Sequence, residues 1–92
     1  MITIDWGDLH PSEELQAHVH ARVAGLVELR RERVALRKRG SGYEAQVQTA
    51  LPGRSTLLRL QGEDLSDLVE RATDLLLIVA RESARQRMAL AG

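Results

Sequence analysis

The first six residues alternate, with Ile2, Ile4 and Trp6 on one side and Thr3 and Asp5 on the other. That period of two predicts a short half-buried strand. Gly7 to Pro11 breaks it, and Ser12 then stands where a helix N-cap belongs, followed by Glu13 and Glu14 to complement the helix dipole. Leu15, Val19, Val23 and Leu26 recur at helical spacing, Val27 widens the stripe, and a first helix is predicted over residues 13–29. A second alternating run over residues 33–37 has arginines at both ends, and the loop that follows is Arg39-Gly40-Ser41-Gly42. Tyr43, Ala45, Val47, Thr49 and Leu51 then form one face of a third strand, with Glu44, Gln46 and Gln48 on the other.

Leu51-Pro52-Gly53-Arg54 carries the Pro-Gly pair of a type II turn, so residues 55–61 return as the other arm of a hairpin. Asp64 is placed to cap a second helix. Its buried side is predicted to be Leu65, Leu68, Val69, Ala72, Leu76 and Val79, and it should run to about Met88 before fraying. The order is β-α-β-β-β-α. A helical crossover makes the first two strands parallel and right-handed in connection, and the others meander antiparallel. The fold class is an α/β two-layer sandwich, a four-stranded mixed sheet with two helices on one face.

Ninety-two residues allow one domain, over residues 1–92. No cysteine is present, which excludes disulfides, thiolate metal sites and a Cys nucleophile, and suits a reducing compartment. No apolar run approaches a membrane span, and MITIDWGD lacks the basic start of a secretory signal, so a cytoplasmic domain is expected, without membrane contact. The net charge is zero, but unevenly spread. Residues 1–29 hold one base against five acids, residues 30–59 eight bases against two acids, and residues 60–92 four bases against six. Twelve of the thirteen bases are arginine, the side chain suited to bidentate phosphate contact.

Catalytic constellations are absent from the sequence. His18 and His20 lie about 200° apart around a helix, so they cannot share one metal ion, and His10 has no thiolate partner. No serine sits in a nucleophile elbow, and Gly40-Ser41-Gly42 lacks the Walker pattern. The paired carboxylates stand at helix starts, where the dipole explains them. No enzyme, cofactor or metal is expected. Binding is the better prospect: Arg30, Arg31, Arg33, Arg37, Lys38 and Arg39, against Glu32, place dense positive charge within ten residues, enough to hold several phosphates. A solvated linker with no partner is the plainer reading of the same run. Trp6 and Tyr43 read as core, which argues against base stacking and leaves shape-based contact with structured RNA. In the second helix, six consecutive apolar residues from Leu75 to Ala80 exceed what one buried stripe needs. Leu77 and Ile78 fall off the core face. They are either covered by the first helix or the C-terminal tail, or they form a self-association patch.

These residues together resemble the ribosome hibernation-promoting factors, the ribosome-associated inhibitors of bacteria and plastids. The resemblance rests on Ile2-Thr3-Ile4, on Leu15 with His18 through Leu26, on Tyr43-Glu44-Ala45, and on Gly62-Glu63-Asp64 before an amphipathic helix. It implies the β-α-β-β-β-α fold, similar to double-stranded RNA-binding domains. It also implies a non-catalytic role in which the small ribosomal subunit is bound near the decoding centre, mRNA and tRNA sites are blocked, and the ribosome idles. Arg22 matches a basic position of that family's first helix. Basic residues along the second helix are replaced here by Leu75, Ile78 and Val79, with Arg81, Arg85 and Arg87 following later, and Ser66 stands where an aromatic is common. The longer strand 2 loop and a C-terminal dimerisation domain are not expected. The chain therefore resembles a short, divergent member whose rRNA contact involves Arg22, Arg30, Arg31, Arg33, Arg37, Lys38, Arg39, Arg81 and Arg85. The alternative is a protein-interaction module that kept the fold, lost most RNA contacts and forms a homodimer through Leu77 and Ile78.

Overall fold

A computed structural model of the chain describes residues 2–26, 29, 31–51 and 54–91. The elements are β1 (Thr3–Asp5), α1 (Glu13–Ala24), β2 (Arg33–Arg39), β3 (Gly42–Leu51), β4 (Arg54–Gly62) and α2 (Leu65–Ala91), the order the alternation and helical periods predict. The sheet runs β1-β2-β3-β4, with β1 parallel to β2 and the remaining pairs antiparallel. Both helices lie on one face, giving the expected two-layer sandwich.

Ser12 caps α1, its Oγ accepting from the Leu15 N–H at 3.1 Å. Asp64 does the same for α2 through the Ser66 N–H, also at 3.1 Å. The first helix ends five residues before the predicted 29, at Ala24. From there the Leu26 N–H donates to the Val23 carbonyl and the Leu29 N–H to the Leu26 carbonyl, tight turns of three residues in place of helical bonds. Leu26 and Leu29 are themselves three apart, so the apolar period persists where the helix has stopped, and Leu29 still reaches the core. Val27, read as widening the stripe, and the Pro-Gly turn at 52–53 lie outside the described residues.

The expected loop over residues 39–42 is instead a two-residue hairpin turn. Arg39 pairs with Gly42, and Gly40 takes φ +59°, the left-handed position that a type II′ turn demands of its first central residue. β2 and β3 are therefore longer at this end than the sequence pattern suggested. β1 is shorter, three residues in place of six. Gly7 follows it at φ +57°, its N–H donating to Asp5 Oδ1 at 2.9 Å in an Asx turn that stops the strand.

The core lies between sheet and helices. Val34, Leu36, Ala45 and Val47 point from β2 and β3 towards Leu68, Val69, Ala72 and Leu76 of α2, with Val19 of α1 alongside. Trp6 and Tyr43 pack against this cluster, as their parity predicts. α1 covers β1 incompletely, leaving an apolar groove of about 710 Å³ beside Ile2, Ile4, Trp6 and Val23. α2, with 27 residues, is roughly 40 Å long and extends past the sheet. Among the described residues, no helix is long and apolar enough to cross a membrane.

Candidate nucleic-acid interface

Two faces follow from the strand registers. Val34 pairs with Val47 and Leu36 with Ala45 on the covered face, so Arg33, Arg37 and Arg39 must point the other way. That other face has no helix over it. It also carries Gln46 and Gln48 from β3 and, through the pairing of Gln46 with Arg59, a fourth arginine from β4. Asp5 and Glu44 are its carboxylates among the described residues. Asp5 binds Arg33, Oδ2 to Nη2 at 2.7 Å, and its carboxyl lies below its ordinary value, first through the Gly7 N–H and then through Arg33.

Glu44 organises the middle of this face. Arg37 and Glu44 are directly opposed across β2 and β3. Arg37 Nε donates to Oε2 at 2.5 Å, while Arg39 Nη1 donates to Oε1 at 2.6 Å. The Glu44 side chain is 0% exposed, yet Arg37 and Arg39 above it are 59% and 54% exposed. Its cover is thus one layer of guanidinium side chains on an open sheet, not a deep interior. Burial pushes its carboxyl up, but the two arginines outweigh that and hold it below the usual glutamate value. Each guanidinium has five N–H donors, so both arginines keep donors free after binding Glu44. Arg59 has no ion-pair partner among the described residues. Four arginines against two carboxylates leave the face positive.

The remaining candidates are scattered. Lys38 points to the helix side of β2, opposite Tyr43, at the exposed end of the sheet. Arg31 is exposed just before β2, its N–H donating to Glu32 Oε2 at 3.0 Å. Arg81 is exposed on α2, without an ion pair among the described residues, and Arg85 meets Glu82 at 2.9 Å. Arg30 lies outside the described residues. Arg59 was missed by the sequence reading. Carrying the β3–β4 register through the hairpin would have placed it opposite Gln46.

Arg22 sits in a different cluster, the seam between the helices. His18 and Arg22, one turn apart on α1, face Glu70 and Asp74, one turn apart on α2. Glu70 is bound by His18 and by Arg22, and Arg22 Nη2 reaches Asp74 at 2.6 Å. The Arg22 guanidinium is held above its ordinary value, mainly by the Asp74 hydrogen bond, and Glu70 below its own, mainly by the His18 hydrogen bond. Among the described residues, no group of three His, Asp or Glu is arranged to hold a metal ion.

Leu77 and Ile78, read from the sequence as one patch, are separated by the helix. Leu77 is half-buried, seven residues beyond Glu70 and so on the flank nearer α1, whereas Ile78 is 59% exposed.

No family model matches this sequence, and no curated protein sequence matches it. Solved structures of other proteins share its fold. The Protein Y N-terminal domain of Thermus thermophilus is 24% identical, covering 86% of this chain and 93% of its own, with a TM-score of 0.59. A ribosomal subunit interface protein from Coxiella burnetii is 12% identical, covering 90% of this chain and 97% of its own, with a TM-score of 0.67. The fold that the resemblance in the sequence implies is the fold of this chain, over nearly its whole length.

Proposed function

We propose that this chain is a non-catalytic, ribosome-associated translation regulator of the cytoplasm. It binds rRNA of the small ribosomal subunit through the open arginine face of its sheet and occludes mRNA and tRNA sites. The observation that carries this reading is the open face itself, where Arg33, Arg37, Arg39 and Arg59 converge on a surface no helix covers. A fold shared with a ribosomal subunit interface protein supports the choice of partner. Aromatic side chains are absent from that face: Trp6 and Tyr43 pack into the core, so the contact is to phosphates and helical shape, not to stacked bases. Arg22 is only 27% exposed and shared between two carboxylates, while Arg81 and Arg85 stand exposed on α2, apart from the group of four on the sheet. Phosphate contact is accordingly assigned to the sheet, where the arginines lie together on one face.

Pelleting with purified small subunits through a sucrose cushion tests this directly, together with inhibition of a cell-free translation reaction. The protein should co-sediment with small subunits and lower translation in proportion to its occupancy. Failure to pellet at low salt contradicts the proposal and favours the self-associating module.

A further inference from the structure

We propose that the free edge of β4 is a self-association surface, across which a second copy of this chain adds its own β4 antiparallel and continues the sheet. The two edges of the sheet differ sharply. At one edge, β1 pairs over three residues and is cut short by the Gly7 turn. At the other, β4 spans nine residues and pairs on one side alone, with β3. Natural proteins blunt long edges with charge, proline or bulges, because unpaired backbone groups invite another strand. β4 carries neither proline nor bulge, and its one charge between its ends, Arg59, points to the open face. The strand presents Leu57, 51% exposed, on the open face and Leu58, 37% exposed, on the helix face.

The helix above this edge adds a third apolar group. Arg71 Nη2 donates to the Gln61 carbonyl at 2.8 Å, so the Arg71 side of α2 faces β4. Ile78 is seven residues on, within about 20° of Arg71 around the axis and roughly 10 Å further along. Leu57, Leu58 and Ile78 therefore gather on one border, whereas Met88, the other large apolar residue exposed among the described residues, stands near the end of α2.

A second copy is the occupant that covers all three. A two-fold axis perpendicular to the sheet keeps both pairs of helices on the same side, and opposed residues then share a face. Pairing Leu58 with its counterpart sets Leu57 opposite Arg59 and Thr56 opposite Leu60, with no like charges opposed. Shifting by one step to oppose Arg59 with itself is repulsive, which disfavours that register. Because α2 packs over β3 and β4, strands about 4.8 Å apart bring the two α2 helices to roughly 10–14 Å, a gap that the facing Ile78 side chains fill. A lone strand from another protein satisfies the backbone but leaves Ile78 in water.

Light scattering on the eluting 92-residue chain, over a concentration series, tests the proposal. The mass should rise from 10.2 kDa towards twice that, with a dissociation constant of roughly 10–100 μM, as suits a small edge interface. Leu57→Lys and Ile78→Glu should each weaken dimerisation about tenfold or more, whereas Met88→Glu should leave it unchanged. Hydrogen exchange should show β4 amides slowing with concentration while β1 amides do not. A constant 10.2 kDa mass up to about 1 mM overturns the proposal, and so do undiminished dimers of both variants, or protection arising along β1. Should Ile78→Glu lose its circular dichroism, Leu57→Lys and the exchange pattern decide the matter.

Discussion

The open sheet face and the seam between the helices are built from the same kinds of side chain, and they put them to opposite uses. At the seam, Arg22 is 27% exposed and divides its guanidinium between two carboxylates, with His18 sharing one of them. With two acids around Arg22, its charge is offset and most of its surface is covered. On the sheet, one carboxylate serves two arginines, and both stay more than half exposed above it. An arginine held between two acids is neutralised and mostly covered. An arginine that shares a buried anion with a neighbour is oriented and still available. Counting basic residues along the chain cannot separate these cases, because what matters is how many acids each one meets.

The largest expected effect breaks this contrast on the sheet side. Replacing Arg37, Arg39 and Arg59 by Gln should weaken binding to structured RNA by about tenfold or more at moderate salt, uniformly across sequences. A filter-binding salt titration measures it. Replacing Glu44 by Gln sharpens the point in the other direction, since it frees positive charge: RNA binding should tighten while thermal stability falls.

Acid should weaken the fold through both clusters. Asp5, Glu44 and Glu70 have carboxyls held below their ordinary values. The unfolded chain takes up these protons at higher pH than the folded one. The stability they lend is therefore complete above about pH 5 and is lost as pH falls through the ordinary carboxylate range towards the lowered values. Urea midpoints between neutral and acid pH should show the fall, and Glu44→Gln should make it shallower.

Arg22→Gln tests the seam. Its thermal midpoint should drop by about 2–6 °C, as for a partly exposed ion-pair network, with the affinity for RNA unchanged. The smallest effect belongs to Lys38→Gln on the helix side of β2, which should shift stability by no more than about 0.5 kcal/mol and the RNA salt dependence by less than one contact.

Strand parity alone was enough to send Arg33 and Arg37 to one face of β2 and Val34 and Leu36 to the other, and helical spacing was enough to find the buried side of α2. Glu44 shows where such reading stops. Its parity correctly put it on the polar side of β3, but its burial comes from Arg37 and Arg39 lying over it, and that depends on the register. The register hangs on whether residues 39–42 form a loop or a two-residue turn, which composition does not decide. Arg22 was beyond reach for another reason: its partners are 48 and 52 residues away. No local pattern marks a contact between helices set by how they cross.

The most direct measurement is the slope of log affinity against log salt for an RNA duplex, compared between wild type, the Arg37/Arg39/Arg59→Gln variant and an Arg81/Arg85→Gln variant. With each phosphate contact contributing about 0.9, the sheet-face variant should lose roughly 2.7 from the slope, while the α2 variant keeps that of wild type. An unchanged slope in the sheet-face variant, or a loss confined to the α2 variant, would contradict the placing of the interface on the open sheet.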